Sequence, residues 1–278
     1  MFSETLRWAA STITVENFTV KGLKEIKDAG IDLIEISGGG LDRLIRELNF
    51  IENPYYTKAL CDEAGVEIFS LHLPFGKRFD LINDVPEERA YILRTLELLI
   101  RSAAKIGIKM CVLHPSTDGI ADEERPEKRK LSLEGIVKLQ AVAEEVGIVL
   151  AVENLPRTCL CYCSDEMIDM LSGTGVKIIF DMNHAPVETD VEFIDKLSAA
   201  GFEIFSIHIS DYYGAEEKHN MPGDGTNKWR DIFDALERAG YKGPLMYEVS
   251  CYDRRDGKFY TAKDVAENMA KLSRGLIS

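Results

Sequence analysis

Short apolar runs alternate with longer amphipathic ones along almost the whole chain. Eight runs carry the β-branched and aromatic content of strands: residues 6–11, 31–37, 66–73, 108–114, 148–154, 176–182, 202–209 and 244–250. The stretches between them repeat their apolar residues at three- and four-residue intervals. In "AYILRTLELLIRSAA" (90–104), Ile92, Leu93, Leu96, Leu99, Ile100 and Ala103 fall on one helical face. Helix starts are marked by Pro86, Ser164 and Thr189–Asp190. Glycines 30, 65, 107, 147, 201 and 240 mark the stops, each just before the next strand. Eight such alternations within one chain of 278 residues predict an α/β fold, a single (β/α)8 barrel over residues 1–278. The rival, a doubly wound open sheet, needs a G-x-G-x-x-G turn after an early strand. "SGGGLDRL" at 37–44 comes nearest and lacks that spacing.

Six consecutive strands end on a side chain able to ligate a metal or move a proton: His72, His114, Glu153, Asp181, His208 and Glu248. Side chains alternate faces along a strand. Two residues earlier stand Ser70, Val112, Ala151, Ile179, Ser206 and Met246, which would share the inward face. The intervening Leu71, Leu113, Val152, Phe180, Ile207 and Tyr247 suit the helix-facing side. The polar residues therefore share an inward register at the carboxyl ends of their strands, the end where barrels carry their chemistry. Glu35, ending the second strand, joins the ring.

Composition narrows the partners. A net charge of −14 argues against a nucleic-acid backbone as partner. No run approaches the ~18–20 apolar residues of a membrane span. The start, "MFSETLRWAAST", lacks the layout of a signal peptide. A cytoplasmic protein is expected, with a possible homo-oligomeric state left open. The six cysteines, three of them in "CLCYC" (159–163), form neither a disulfide framework nor a C-x-x-C pair.

Three carboxylates, Glu153, Asp181 and Glu248, converging on one rim would repel one another. A divalent cation removes the conflict. Oxygen ligands with one nitrogen suit Mn2+, Co2+ or Mg2+, and a richer histidine set favours Zn2+.

The ordered signposts "GIDLIEIS", "HLP", "LHPS", "VENLPR", "FDMNHA", "IHISD", "HNMPGDG" and "YEVS" resemble the xylose isomerase-like barrels over nearly the whole chain. That group comprises sugar and sugar-phosphate isomerases and epimerases together with the endonuclease IV type of abasic-site nuclease. The resemblance implies a metal quartet of Glu153, Asp181, His208 and Glu248, with Glu153 and Glu248 doubling as the proton-transfer pair. His184 would meet a substrate oxygen, and His72 and His114 would meet substrate hydroxyls. The expected function is metal-dependent isomerisation or epimerisation of a small sugar, sugar acid or sugar phosphate through an enediolate. A polyol or sugar-acid dehydratase on the same site is a close variant.

The nuclease branch would instead imply three Zn2+ held by His72, His114, Glu153, Asp181, His184, His208, Glu217, His219 and Glu248. Against it stand "FDMNHAPV" around Asp181, the turn "HNMPGDG" and the acidic balance. A barrel that binds without catalysis would be expected to break the quartet, which is intact. The loop 211–229 is expected to fold over the mouth and present His219 to substrate. Glu35 and Arg157 complete the expected substrate contacts, though Arg157 could equally pair with a neighbouring acid. Arg254 and Arg255 are read as solvated. Trp8 is left as either a sugar-facing wall or core.

Overall fold

A computed structural model describes residues 5–14, 18–37, 48–185, 187–213, 216–250, 252–253 and 258–277, with backbone alone at 216–217, 252–253 and 258. In chain order the strands are β1 (Trp8–Ser11), β2 (Leu33–Ser37), β3 (Glu67–His72), β4 (Met110–Leu113), β5 (Val149–Glu153), β6 (Lys177–Asp181), β7 (Ile204–Ile209), β8 (Asp211–Tyr213), β9 (Glu216–Asn220), β10 (Leu245–Tyr247), β11 (Tyr252–Asp253) and β12 (Lys258–Phe259). β1–β7 and β10 close into a parallel barrel in the order β1-β10-β7-β6-β5-β4-β3-β2. Eight described helices surround it: α1 (Val20–Asp28), α2 (Pro54–Ala64), α3 (Pro86–Lys105), α4 (Arg125–Val146), α5 (Ser164–Leu171), α6 (Asp190–Ala199), α7 (Trp229–Arg238) and α8 (Ala262–Ser273). The fold is the expected (β/α)8 barrel. None of the described helices is long and apolar enough to cross a membrane.

Local signals explain the helix limits. Pro86 opens α3, where its missing N–H costs nothing. Thr189 and Glu192 close a reciprocal capping box at the start of α6. Gly65 and Gly147 end α2 and α4 in the left-handed region, at φ 76° and 72°, which glycine enters without strain. α3 buries Ile92, Leu96, Leu99, Ile100 and Ala103, the face read from the sequence, with Leu93 at its half-buried edge.

The strand faces sort as the alternation requires. Leu71, Leu113, Val152, Phe180, Ile207 and Tyr247 are fully or almost fully buried in the layer between barrel and helices. Val112, Ala151, Ile179 and Met246 lie in two smaller clusters inside the barrel. Trp8 packs edge-on against Tyr247 at 5.8 Å, which places it with the outer core.

Two departures from strict alternation matter. The register of β2 against β3 slips beside Phe69, and that of β6 against β7 slips beside Phe205. A bulge puts two successive residues where one belongs and re-aims a side chain. Phe69 and Phe205 thereby join the interior clusters and stack on each other at 6.2 Å, below Ser70 and Ser206. The eighth barrel strand is also shorter than expected. It ends at Tyr247, although the Glu248 N–H still donates to the Ile209 carbonyl at 3.0 Å. Residues 38–44 of the glycine-rich turn, and Arg254, Arg255 and Cys251, lie outside the described residues.

Candidate metal centre

The carboxyl ends of the strands deliver the polar ring to one place. β3 ends on His72, β5 on Glu153 and β6 on Asp181; His208 is next to last in β7, and His114 and Glu248 follow β4 and β10 directly. One ligand atom each from Glu153, Asp181, His208 and Glu248 lies within 4.8 Å of the others. Two ligands each about 2.0–2.3 Å from one ion can stand no farther apart than about 4.0–4.6 Å, close to this bound, so the four would be able to hold a divalent ion. His208 Nδ1 sits at the hub, 3.0 Å from both Glu153 Oε1 and Glu248 Oε2. Its other nitrogen, Nε2, is 3.0 Å from Glu35 Oε1. Glu35 also accepts from Ser70 Oγ at 2.7 Å and is fully buried. Glu35 thus touches His208 and Ser70 beneath the ring.

The donor set fits a cation. Asp181 Oδ2 is buried and accepts no hydrogen bond, and neither polar atom of the Asn183 side chain, at 5% exposure, has a partner. Buried polar atoms are seldom left so. Burial raises Asp181 to about 6, helped by Glu248 and Glu153 and opposed by His184 and His219. Burial would also raise Glu153 and Glu248. The imidazoles of His208 and His114 outweigh it at Glu153, and His208 and His219 outweigh it at Glu248, held at about 2. Correspondingly, Glu248, Glu35 and Glu153 lift His208 well above its ordinary value against its own burial. The carboxylates thus favour the charged form of the His208 imidazole, and a divalent ion held here would supply that positive charge instead.

The remaining histidines lie around the quartet. His72 Nε2 and His114 Nε2 approach Glu153 Oε2 at 3.2 and 3.0 Å, forming a second group with ligand spacing. Asp181, His184 and His219 form a third. Glu217, expected with these ligands in the nuclease branch, has a side chain outside the described residues. His72, His184 and His219 each direct Nδ1 at a main-chain carbonyl, of Leu73 (3.0 Å), Asn154 (3.0 Å) and Glu248 (3.1 Å). A carbonyl only accepts, so Nδ1 carries the hydrogen in each ring. In His72 the Nε2 beside Glu153 Oε2 carries one as well, and against its burial that carboxylate lifts the ring to about 9. A neutral His184 or His219 instead keeps its lone pair on Nε2.

Supporting residues escaped the sequence reading. The Asn154 side chain donates to the Asp181 carbonyl (2.9 Å) and accepts from the Asp181 N–H (2.7 Å), which pins the end of β6 to the end of β5. Its only signal is its place beside Glu153. Phe75 stacks on His114 at 4.2 Å and stays 47% exposed. Asp211 is fully buried and accepts from the N–H groups of Tyr212, Gly223 and Asn227 and from the Trp229 indole, at 2.9–3.2 Å. It ties down the loop 211–229 that carries His219, within which β8 and β9 form a hairpin that the sequence reading does not include. Of the roles left open for Arg157, the structure shows an ion pair, with Nε 2.7 Å from Asp118. Arg157 stands in the left-handed region at φ 59° and joins the loops after β4 and β5.

The profile of the xylose isomerase-like TIM barrel matches residues 23–274. The chain belongs to that family. Among its relatives, the L-ribulose-5-phosphate 3-epimerase of Escherichia coli strain K12 is 24% identical over 253 residues, covering 90% of this chain and 85% of that one. An uncharacterised protein of Methanocaldococcus jannaschii is 27% identical over 207 residues, 71% and 69% of the two chains. The crystal structure of a D-tagatose 3-epimerase-like protein superposes with a TM-score of 0.80 at 21% identity, over 98% and 97% of the chains.

Proposed function

We propose that the protein is a divalent-metal-dependent epimerase or isomerase of a small sugar, with 3-epimerisation of a ketose or ketose phosphate as its favoured form. The observation that carries this reading is the convergence of Glu153, Asp181, His208 and Glu248 within ligand distance of one another at the carboxyl ends of the barrel strands. The epimerase similarity of the Escherichia coli relative supports the choice of reaction. The bound ion would act as a Lewis acid, polarising the substrate carbonyl and its neighbouring hydroxyl.

The chain supplies the rest. Glu153 ends the fifth barrel strand and Glu248 follows the eighth, and each stands 3.0 Å from His208 Nδ1. One of them, as a carboxylate, would take the proton alpha to the carbonyl, and the other, entering the step with a proton of its own, would deliver that proton to the opposite face. His72 and His114 hold the outer oxygen of Glu153 and so set which oxygen faces the substrate. Phe75, half exposed beside His114, offers an aromatic face to the C–H side of a sugar. Glu35 and Asn154 orient His208 and Asp181 from behind.

The test is exchange of a carbon-bound substrate hydrogen with D2O across a panel of ketoses and ketose phosphates, using metal-loaded protein. Exchange at C3 that Glu153→Gln and Glu248→Gln each nearly abolish supports the reading; a panel with no exchange refutes it. The second and third ligand-spaced groups favour one other reading, a three-zinc phosphodiesterase of the abasic-site type. Three zincs per chain together with cleavage of an abasic duplex would establish it, whereas one metal and no cleavage would exclude it.

A further inference from the structure

The opposite end of the barrel has a cavity of about 670 Å3, within the range of small-molecule sites. Its floor is Leu33, Phe69 and Phe205, with Pro244 at one side. The two phenylalanines reach it because of the register slips in β3 and β7, and they arrive in the same way from the repeated sequence "EIFS" (67–70 and 203–206). Their rings stack at 6.2 Å with 17° between planes, and both remain half-buried.

The rim is charged, and its charges are unevenly compensated. Glu67 is held by Arg7 at 2.7 Å, and Arg7 also reaches Asp32 at 3.1 Å. Glu203 is held by Lys177 at 2.6 Å. Lys109 and Lys242 also line the cavity, and neither forms an ion pair with a described residue. In a chain of net charge −14, two exposed lysines without an acidic partner, on a cavity that two aromatic rings also line, are complementary to a flat anion.

We propose that this N-terminal mouth is a second binding site, for a small planar aromatic carboxylate or sulfonate whose ring lies on Phe69 and Phe205 and whose anionic group meets Lys109 and Lys242. The site stands apart from the metal centre: Phe205 is three residues from His208 along β7, about 10 Å at strand rise. It therefore does not depend on the proposed reaction.

Isothermal titration of the full chain with 2-naphthoate, with and without added metal, tests it. Saturable one-site binding is expected. It should weaken about tenfold or more in Lys109→Glu/Lys242→Glu, and by a similar factor when neutral 2-naphthamide replaces the acid. Lys138→Glu, an exposed charge reversal on α4, should leave it unchanged, as should Glu153→Gln. Absence of saturable heat at millimolar probe overturns the proposal. So does binding that survives the double reversal, or binding that Glu153→Gln abolishes, which would place the probe at the metal end.

Discussion

Glu35→Gln separates charge from shape beneath the metal centre. Glu35 is fully buried, with Oε1 3.0 Å from His208 Nε2 and Oε2 2.7 Å from Ser70 Oγ. Glutamine has nearly the same volume. Its carbonyl can still accept from Nε2–H, and its amide can donate to Ser70 once that hydroxyl turns. What disappears is one negative charge behind the imidazole, which makes the nitrogen facing Glu153 and Glu248 less basic. Partners of this kind behind a ligand histidine are worth about 10–100-fold in metal affinity, or about 1.4–2.7 kcal/mol. Competition against a fluorescent chelator measures the change, with circular dichroism as a check on the fold. Glu35→Ala, which leaves both His208 Nε2 and Ser70 without an acceptor, should weaken binding further and lower the melting temperature as well. A Glu35→Gln protein that is folded and binds metal within about twofold of wild type would refute the argument that this carboxylate tunes His208.

Asp211→Ala strands three backbone N–H groups and the Trp229 indole, so a loss on the order of 3 kcal/mol is expected. Limited proteolysis should then cut within 211–229, and an unchanged melting curve and cleavage pattern would contradict the anchor role. Thr189→Ala breaks the capping box of α6 and should lower the melting temperature by about 2–4 °C at neutral pH. The backbone N–H and hydroxyl of Thr189 hold Glu192 below its ordinary 4.5, so that contribution is present above 4.5 and is lost as pH falls through the lowered value. The deficit of the variant should therefore shrink in acid, and a deficit that is the same at pH 3 and pH 7 would speak against the box. Among the described cysteines, half-buried Cys163 should be alkylated by iodoacetamide before Cys61, whose thiol burial raises to about 12. Peptide mapping reads the order, and Cys61 reacting first would be the contrary result.

The barrel and the ring were legible because they depend on local periodicity. A side chain at the end of a strand has its face set by the count from its neighbours, and Glu153, Asp181, His208 and Glu248 obey that count. Phe69 and Phe205 do not. Their inward turn arises where β3 and β7 meet β2 and β6, and pairing register is a property of two strands rather than one. Asn154 and Asp211 were hidden for a related reason. Each is a polar residue beside a strand end, and only the folded chain shows which main-chain groups it satisfies. Arg157 shows the converse limit: sequence offered two partners, and contact with Asp118 required two loops to be brought together.

Three of the barrel's imidazoles hang from main-chain oxygens. A peptide carbonyl survives any substitution of its own side chain, so the handedness of these rings is inherited along with the backbone. The carboxylates could be exchanged or the mouth loops rebuilt, and the same nitrogen of each ring would still face inward. Such a scaffold can wander among metals and substrates without having to reinvent the bearings on which its histidines turn.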